Sequence, residues 1–283
     1  MQKRHTSIPT EIDHAERRPL AWLKRIIWPL LEQPLKYPHF WTWFGWFEIV
    51  QTYRRTLLGP FWITANLIIF TIVMTFVYGA IFGVPTKEYS SYVLCSLIAW
   101  YWVSALIAEV GNTFVANAFF IRGSSIDKAQ LIWSQVYKQL ITFGHNIVVV
   151  GLYILVGVIP LNVHTLQIVP AIMLLFLFSI PATAVAAILF ARYRDLQRLV
   201  SGAMLAVLMV TPVFWEIGMM KGWRKFVIGL NPIYYLIELV RRPLLGQPTE
   251  MVTYLVVLLM VCVLWIAGGL FYNRYQRYVV FWV

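Results

Sequence analysis

The chain has 283 residues, of which 60% are hydrophobic and 12% charged, with a formal net charge of +11. A soluble domain carries roughly a quarter charged residues, so this composition cannot cover a soluble surface and points to a polytopic membrane protein. The positive charge does not point to nucleic acid, because the basic residues sit beside apolar runs rather than on one folded face. Cys95 and Cys262 lie in apolar runs without metal-ligand or CxxC spacing and read as buried small hydrophobes.

Residues 1–19 are polar and charged and lack the apolar core and small-residue cleavage site of a signal peptide. The chain is therefore expected to start as a cytoplasmic tail. Residues 20–33 mix Trp and Leu with Lys24, Arg25 and Glu32, and the stretch after them is broken by Pro34 and Pro38. Residues 41–56 alternate aromatics and aliphatics with Glu48, Gln51, Arg54 and Arg55 and are too polar at their end to span. They suit an amphipathic helix lying in the membrane interface; a simple juxtamembrane anchor fits the same residues.

A membrane-spanning helix needs about 20 apolar residues. Residues 56–86 contain no Asp, Glu, Lys or Arg, and 139–191 is an uncharged run of 53 residues, long enough for two spans. Six spans are expected, at 58–82, 89–110, 138–159, 166–190, 199–215 and 251–273. An even number puts both termini on one side. The segments on that side hold 17 Lys and Arg; the other side holds six, namely Lys87, Lys221, Arg224, Lys225, Arg241 and Arg242. The asymmetry places both termini in the cytoplasm. No internal repeat stands out, so an inverted-repeat secondary transporter is not supported.

Few polar residues fall inside the spans: Glu109, His145 and Asn146. Glu109 lies near an interface, and a histidine in such a place more often packs than relays protons. No GxxxxGK[ST] phosphate loop is present to bind ATP. A transporter without its own energy source is either a channel or borrows energy from a partner. The cytoplasmic loop after the second span carries a short amphipathic patch ending at Arg122, in which Phe119 and Phe120 could anchor a soluble partner; an ordinary re-entry loop is the other reading. On the outer side, residues 216–250 read as two short helices joined at Asn231-Pro232. They form either a re-entrant hairpin or a loop lying on the surface. Tyr89, Tyr92, Trp100, Tyr101 and Trp102 are candidates for stacking against sugar rings, with interface belts and core packing as the alternative.

Three segments together carry a family resemblance: TYRRTLLGPFWITAN at 52–66, with Leu-Gly and then Trp as the first span begins; ARYRDLQRLV at 191–200, with an Arg-Asp pair before the fifth span; and LNPIYYLIELVRRPLLG at 230–246. Residues 41–278 resemble the membrane permease of ABC-2 type polysaccharide exporters, which move O-antigen, capsular polysaccharide or teichoic acid. The resemblance implies a homodimer that works with a separate soluble ATPase, which would bind ATP and Mg, so this subunit would be no enzyme and would hold no cofactor. It assigns 41–55 to the interface helix, and Asn117, Phe119, Phe120 and Arg122 to the ATPase-coupling helix. It assigns Trp223, Asn231, Pro232, Tyr234, Tyr235, Glu238, Arg241 and Arg242 to outer gate helices. It implies an inner-membrane location, with a polymer channel at the dimer interface, and Arg54 and Arg55 placed to attract an undecaprenyl diphosphate carrier. Positive-inside topology and binding to anionic lipid explain the same two arginines. Rival readings are another lipid carrier, a small-lipid or drug exporter, a passive channel, and a membrane-embedded transferase. The transferase is disfavoured by the lack of a DxD, HxxxxD or His cluster. Residues 1–40 precede the family's usual start.

Overall fold

In a computed structural model, residues 21–123 and 126–283 are described, and every regular element among them is helical. The charged residues 1–19 lie outside that range. Five helical stretches are long and apolar enough to cross a membrane: Phe61–Phe82, Thr86–Ala116, Lys128–Leu155, Val163–Arg192 and Met251–Trp282. Their long helices are named α3 (Phe61–Phe82), α4 (Thr86–Ala108), α7 (Lys128–Leu155), α8 (Ile168–Arg192) and α12 (Met251–Tyr275). Helix α4 is the centre of the bundle; it packs on α3, α7 and α8, and all but a few of its residues from Val93 to Leu106 are buried.

Two expected spans are shifted. The third was expected at 138–159, yet α7 begins ten residues earlier, after Asp127 caps it by accepting a hydrogen bond from Ala129 N–H at 2.7 Å. Its polar first turns are inside the protein: Ala129 to Val136 are all buried, so their polarity is a packing property and not a sign of exposure. The fifth was expected at 199–215. The chain instead forms α9 (Arg194–Val210), 17 residues and so about 25 Å long, against a hydrocarbon layer of about 30 Å. It stops because Thr211 precedes Pro212 and is forced into extended geometry, φ −81°, ψ 136°.

Ahead of the spans, α1 (Ala21–Lys36) and α2 (Pro38–Tyr53) meet at a break at Tyr37. Pro29 and Pro34 do not break α1; they lie within it. A proline in a helix frees the carbonyl four residues back, here those of Arg25 and Leu30. Each finds a donor on another helix. Trp133 Nε1–H donates to the Leu30 carbonyl at 2.9 Å, and Asn273 Nδ2–H donates to those of Arg25 and Ile26 at 3.3 and 3.0 Å. Gly269 permits this docking, since a Cβ there would lie 2.8 Å from the Ile26 oxygen. Helix α1 thus straps α12 to α7.

Helix α2 lies along α7. Phe44, Gly45 and Ile49 face inward; Gly45 sits so close that a Cβ would meet the Ser134 carbonyl oxygen at 2.7 Å. Its outer side shows Trp43, Trp46, Phe47 and Val50, an i, i+3, i+4, i+7 apolar stripe.

Contacts sort the remaining pieces into two ends. At one end α5 (Thr113–Ala116), α6 (Ala118–Gly123), the start of α9 and the C-terminal α13 (Val279–Trp282) come together. Arg122 donates to the main-chain oxygen of Val283, and Arg194 to that of Trp282 at 3.4 Å. The opposite end holds the α3–α4 turn at Gly83 (φ 64°), α10 (Trp223–Gly229), and the far end of α11 (Pro232–Leu244), which Asn162 ties down by donating to the Gly246 carbonyl at 2.8 Å.

The strap yields a prediction. Trp133→Phe leaves the buried Leu30 carbonyl without its donor and should cost about 1–3 kcal/mol, and Asn273→Ala, whose bonds to Arg25 and Ile26 are exposed and part-buried, should cost less; both are read as a lower melting temperature in detergent with faster trypsin cleavage at Lys24 and Arg25. Unchanged cleavage in the double variant would mean that α1 is held some other way.

Candidate functional site

The end that holds α10 and the far end of α11 is organised around residues 211–216, which leave helical geometry after α9. Their carbonyls lack helical partners, and a polar group buried without a hydrogen bond is costly. Tyr89 Oη–H donates to the Phe214 carbonyl at 2.6 Å, Tyr92 Oη–H to that of Trp215 at 2.8 Å, and Arg241 Nη1–H to that of Pro212 at 2.7 Å. Two tyrosines at the start of α4 and one arginine from α11 therefore supply the donors that this broken backbone needs.

Arg241 is 4% exposed and also donates from Nη1 to Tyr92 Oη at 2.6 Å and to Ser96 Oγ at 3.1 Å. Its Nη2 pairs with Glu238. Arg242 Nε reaches the other Glu238 oxygen at 2.7 Å, and Arg242 Nη2 reaches Glu250 at 2.8 Å. The spacing explains the arrangement: positions 238, 241 and 242 are i, i+3 and i+4 on one helix face, so one carboxylate lies between two guanidiniums. Helix α11 starts where the sequence predicts, at the Asn231-Pro232 pair. Pro232 occupies the first turn, where its missing N–H costs little, and Asn231 Oδ1 accepts from Ile233 N–H at 3.0 Å. Asn231 Nδ2 donates to Thr211 Oγ1 at 3.0 Å, and Tyr235 Oη–H to the Gly229 carbonyl at 2.8 Å, which closes the hairpin. Trp223, on α10, is 73% exposed.

A cavity of about 250 Å3 lies in this network, lined by Tyr92, Glu216, Tyr234, Glu238, Arg242 and Gln247 among others. It unites one of the five aromatic candidates, Tyr92, with gate-helix candidates. The other four sit elsewhere. Tyr89 and Trp100 are buried, and Tyr101 is half-buried. Trp102 is 2% exposed, donating through Nε1–H to Ser179 Oγ at 3.0 Å and packing edge-on to Phe143. Ser96, Glu216, Gln247 and Glu250 were not singled out in the sequence, because each gains its role only from distant elements that the fold brings to it.

At the other end, Asn117 is buried at the α5–α6 junction, and its side-chain amide donates to the Thr113 carbonyl at 3.0 Å. Phe119 is 82% exposed. Phe120 packs edge-on against Phe44 of α2, centroids 5.7 Å apart. Arg122 pins α6 to the C-terminus. A groove of about 400 Å3 between α2 and α5–α6 is lined by Phe44, Glu48, Glu109, Asn112, Phe120 and Lys138, among others. Burial, and then the Glu109 carboxylate, push the Tyr53 phenol above its ordinary pKa, so it stays neutral there.

Arg54 and Arg55 are exposed in the turn joining α2 to α3. Thr56 N–H donates to the Tyr53 carbonyl at 3.2 Å, and Arg55 has φ +67°, the only positive value at a non-glycine residue among those described. With Arg54 at φ −60°, ψ 131°, this is a type II turn, in which the third residue is usually glycine.

Arg241 is the member whose removal should be felt most. Arg241→Met withdraws the donor from the Pro212 carbonyl and one cation from Glu238, and should cost about 3–5 kcal/mol. Glu238→Gln should cost less, about 1–3 kcal/mol, because Arg241 keeps its bonds to Tyr92, Ser96 and Pro212. Melting in detergent checks this order; equal, small losses would show that the network is incidental.

Comparison with known proteins places the chain. Two curated relatives, both named O-antigen export system permease protein RfbA and both from Klebsiella pneumoniae, are 24% identical over 191 and 189 residues, covering 66% of this chain and 72% of each relative. The family model for the ABC-2 type transporter matches residues 39–245, a segment that runs from the start of α2 to the end of α11 and so takes in α5–α6 and all of the Arg241 network except Gln247 and Glu250. With most of its length inside that match and with several apolar helices of membrane-spanning length, this chain belongs to the ABC-2 type transporter family of membrane proteins.

Proposed function

We propose that this chain is the permease of an ATP-driven exporter of a cell-surface polysaccharide in the bacterial inner membrane, working as a homodimer with a separate ATPase subunit that binds ATP and Mg. The observation that carries the reading is Phe119. It is a large apolar side chain, 82% exposed, on a short helix held from one side by α2 and from the other by the C-terminus. A rigidly presented aromatic of this kind is the anchor that a partner's groove accepts. The names of the two relatives support an O-antigen-type polymer as cargo.

The full topology belongs to the same proposal. Residues 194–215 run from the Trp282 carbonyl at one end to Tyr89 and Tyr92 at the other, which supports a sixth crossing and both termini in the cytoplasm. Pro232 and Ile233, at the tip of the α10–α11 hairpin, line a cleft with Val103, Leu106 and Met260. Those three residues lie in the spans, which supports a hairpin that re-enters the membrane. Helices α3 and α9 expose apolar residues such as Ile72, Phe76, Leu205 and Val210, which supports a second copy or lipid against them. Tyr92 and its partners around the outer cavity are the best placed of the five aromatics to meet a sugar.

A non-glycine residue in left-handed geometry costs about 1 kcal/mol or more, and Arg55 carries that cost in the α2–α3 turn. A guanidinium retained there suits contact with a carrier-lipid diphosphate at headgroup level. Exported polymer should fall when Arg54 and Arg55 are both changed to Gln while membrane insertion is intact; undiminished export removes the arginines from the mechanism.

The main test is co-purification. The tagged wild type, extracted in mild detergent, should bring a soluble ATPase subunit with it, and Phe119→Asp should lose the ATPase while keeping its own melting temperature. Phe119 is the better choice than Phe120, whose ring is part of the α2 packing. Absence of any ATPase from the wild type would overturn the proposal in favour of a passive channel.

A further inference from the structure

Helices α4, α8, α9, α11 and α12 line a cleft of about 470 Å3, the one that the tip of the α10–α11 hairpin reaches. Its lining includes Ala182, Ala186 and Leu189 of α8, Val200 of α9, Leu264 of α12 and Ile233 of α11. Every side chain that lines it is apolar. A buried water needs two to four polar partners, and this cleft offers none from side chains. It lies between helices of the apolar spans, so hydrocarbon is the chemistry that fits.

Leu189 also lines a second cavity, of about 250 Å3, one turn further along α8, with Arg192, Tyr193, Tyr275 and Trp282 around it. The Arg192 guanidinium lies 5.0 Å from the Trp282 ring centroid and 5.3 Å from that of Tyr193, and its Nε donates to Tyr193 Oη at 3.0 Å. Among the described residues no carboxylate pairs with it. Arg194 and Arg198 follow at the start of α9, with Asp195 as the single acid in this stretch. The mouth of the apolar cleft is therefore cationic and aromatic, the combination that marks a headgroup level.

We infer that the two cavities form one binding site for an anionic glycerophospholipid, with an acyl chain in the cleft between α9 and α12 and its phosphate against Arg192. The charge at the mouth selects an anionic over a zwitterionic headgroup. It also disfavours a second copy of this chain as the occupant, which would bring the same arginines against these. Helix α9 packs on α4 and α8, and the acyl chain would fill its side toward α12. The short fifth helix would then be supported in part by lipid, and its position would depend on the lipid composition of the cytoplasmic leaflet.

The test uses the full-length protein, stripped of lipid in mild detergent and titrated with phosphatidylglycerol or phosphatidylethanolamine of identical acyl chains, with bound lipid counted by native mass spectrometry. Phosphatidylglycerol should bind in preference. Arg192→Gln should weaken its binding roughly fivefold and leave phosphatidylethanolamine unaffected. Ala186→Phe, which fills the cleft without changing charge, should weaken both lipids. Equal binding of the two lipids, or phosphatidylglycerol binding that neither variant changes, would overturn the inference. So would a polyprenyl phosphate retained through purification and released by the same variants, which would give the site to a carrier lipid. Lipid bound by the monomer but excluded from the dimer would give it to a second copy.

Discussion

Between α9 and α10 the backbone leaves helical hydrogen bonding while still enclosed by the bundle. In a membrane, such irregular backbone persists only where protein or water satisfies it. Tyr89, Tyr92 and Arg241 do so for Phe214, Trp215 and Pro212. Much of that end of the bundle follows from the requirement. Arg241 can be buried because Glu238 neutralises it; Glu238 in turn draws in Arg242, and Arg242 draws in Glu250 at the start of α12. One break in a helix thus organises α4, α11 and α12 into a single cross-linked end.

The same rule operates at the other end. The two prolines of α1 free carbonyls that Trp133 and Asn273 take up, so a helix that would otherwise be weakened becomes a strap joining α7 to α12. That strap lies before residue 39, outside the segment matched by the family. The last long helix, α12, likewise lies beyond the end of that match at residue 245.

The apolar runs made most of the fold legible: uncharged stretches near 20 residues have few alternatives to spanning helices. The Asn231-Pro232 break was legible too, since capping and proline chemistry are local. The buried start of α7 was not, because Gln130, Ser134 and Gln135 read as exposed until α1 and α2 cover them. The early end of α9 was signalled by Pro212, but an apolar run through Phe214 and Trp215 masked the signal. In the site, Glu238, Arg241 and Arg242 stood out only through the family resemblance of residues 230–246. Their partners Ser96 and the Pro212 carbonyl did not, since nothing in a sequence marks a backbone oxygen that needs a donor. Trp102 stood out as an aromatic, and only the fold shows its indole spent on Ser179.

Two features frame the proposed role: one end cross-linked around Arg241, and at the opposite end a short helix presenting Phe119, in a chain whose family is that of ABC-2 type transporters. The central claim is that the work comes from elsewhere, and reconstitution tests it most directly. The chain would be placed in proteoliposomes with lipid-linked polysaccharide, with and without the ATPase subunit proposed to drive it. ATP-dependent movement of the polymer only when both are present is the result expected. Movement with the permease alone, or none with both subunits and ATP, would contradict the account.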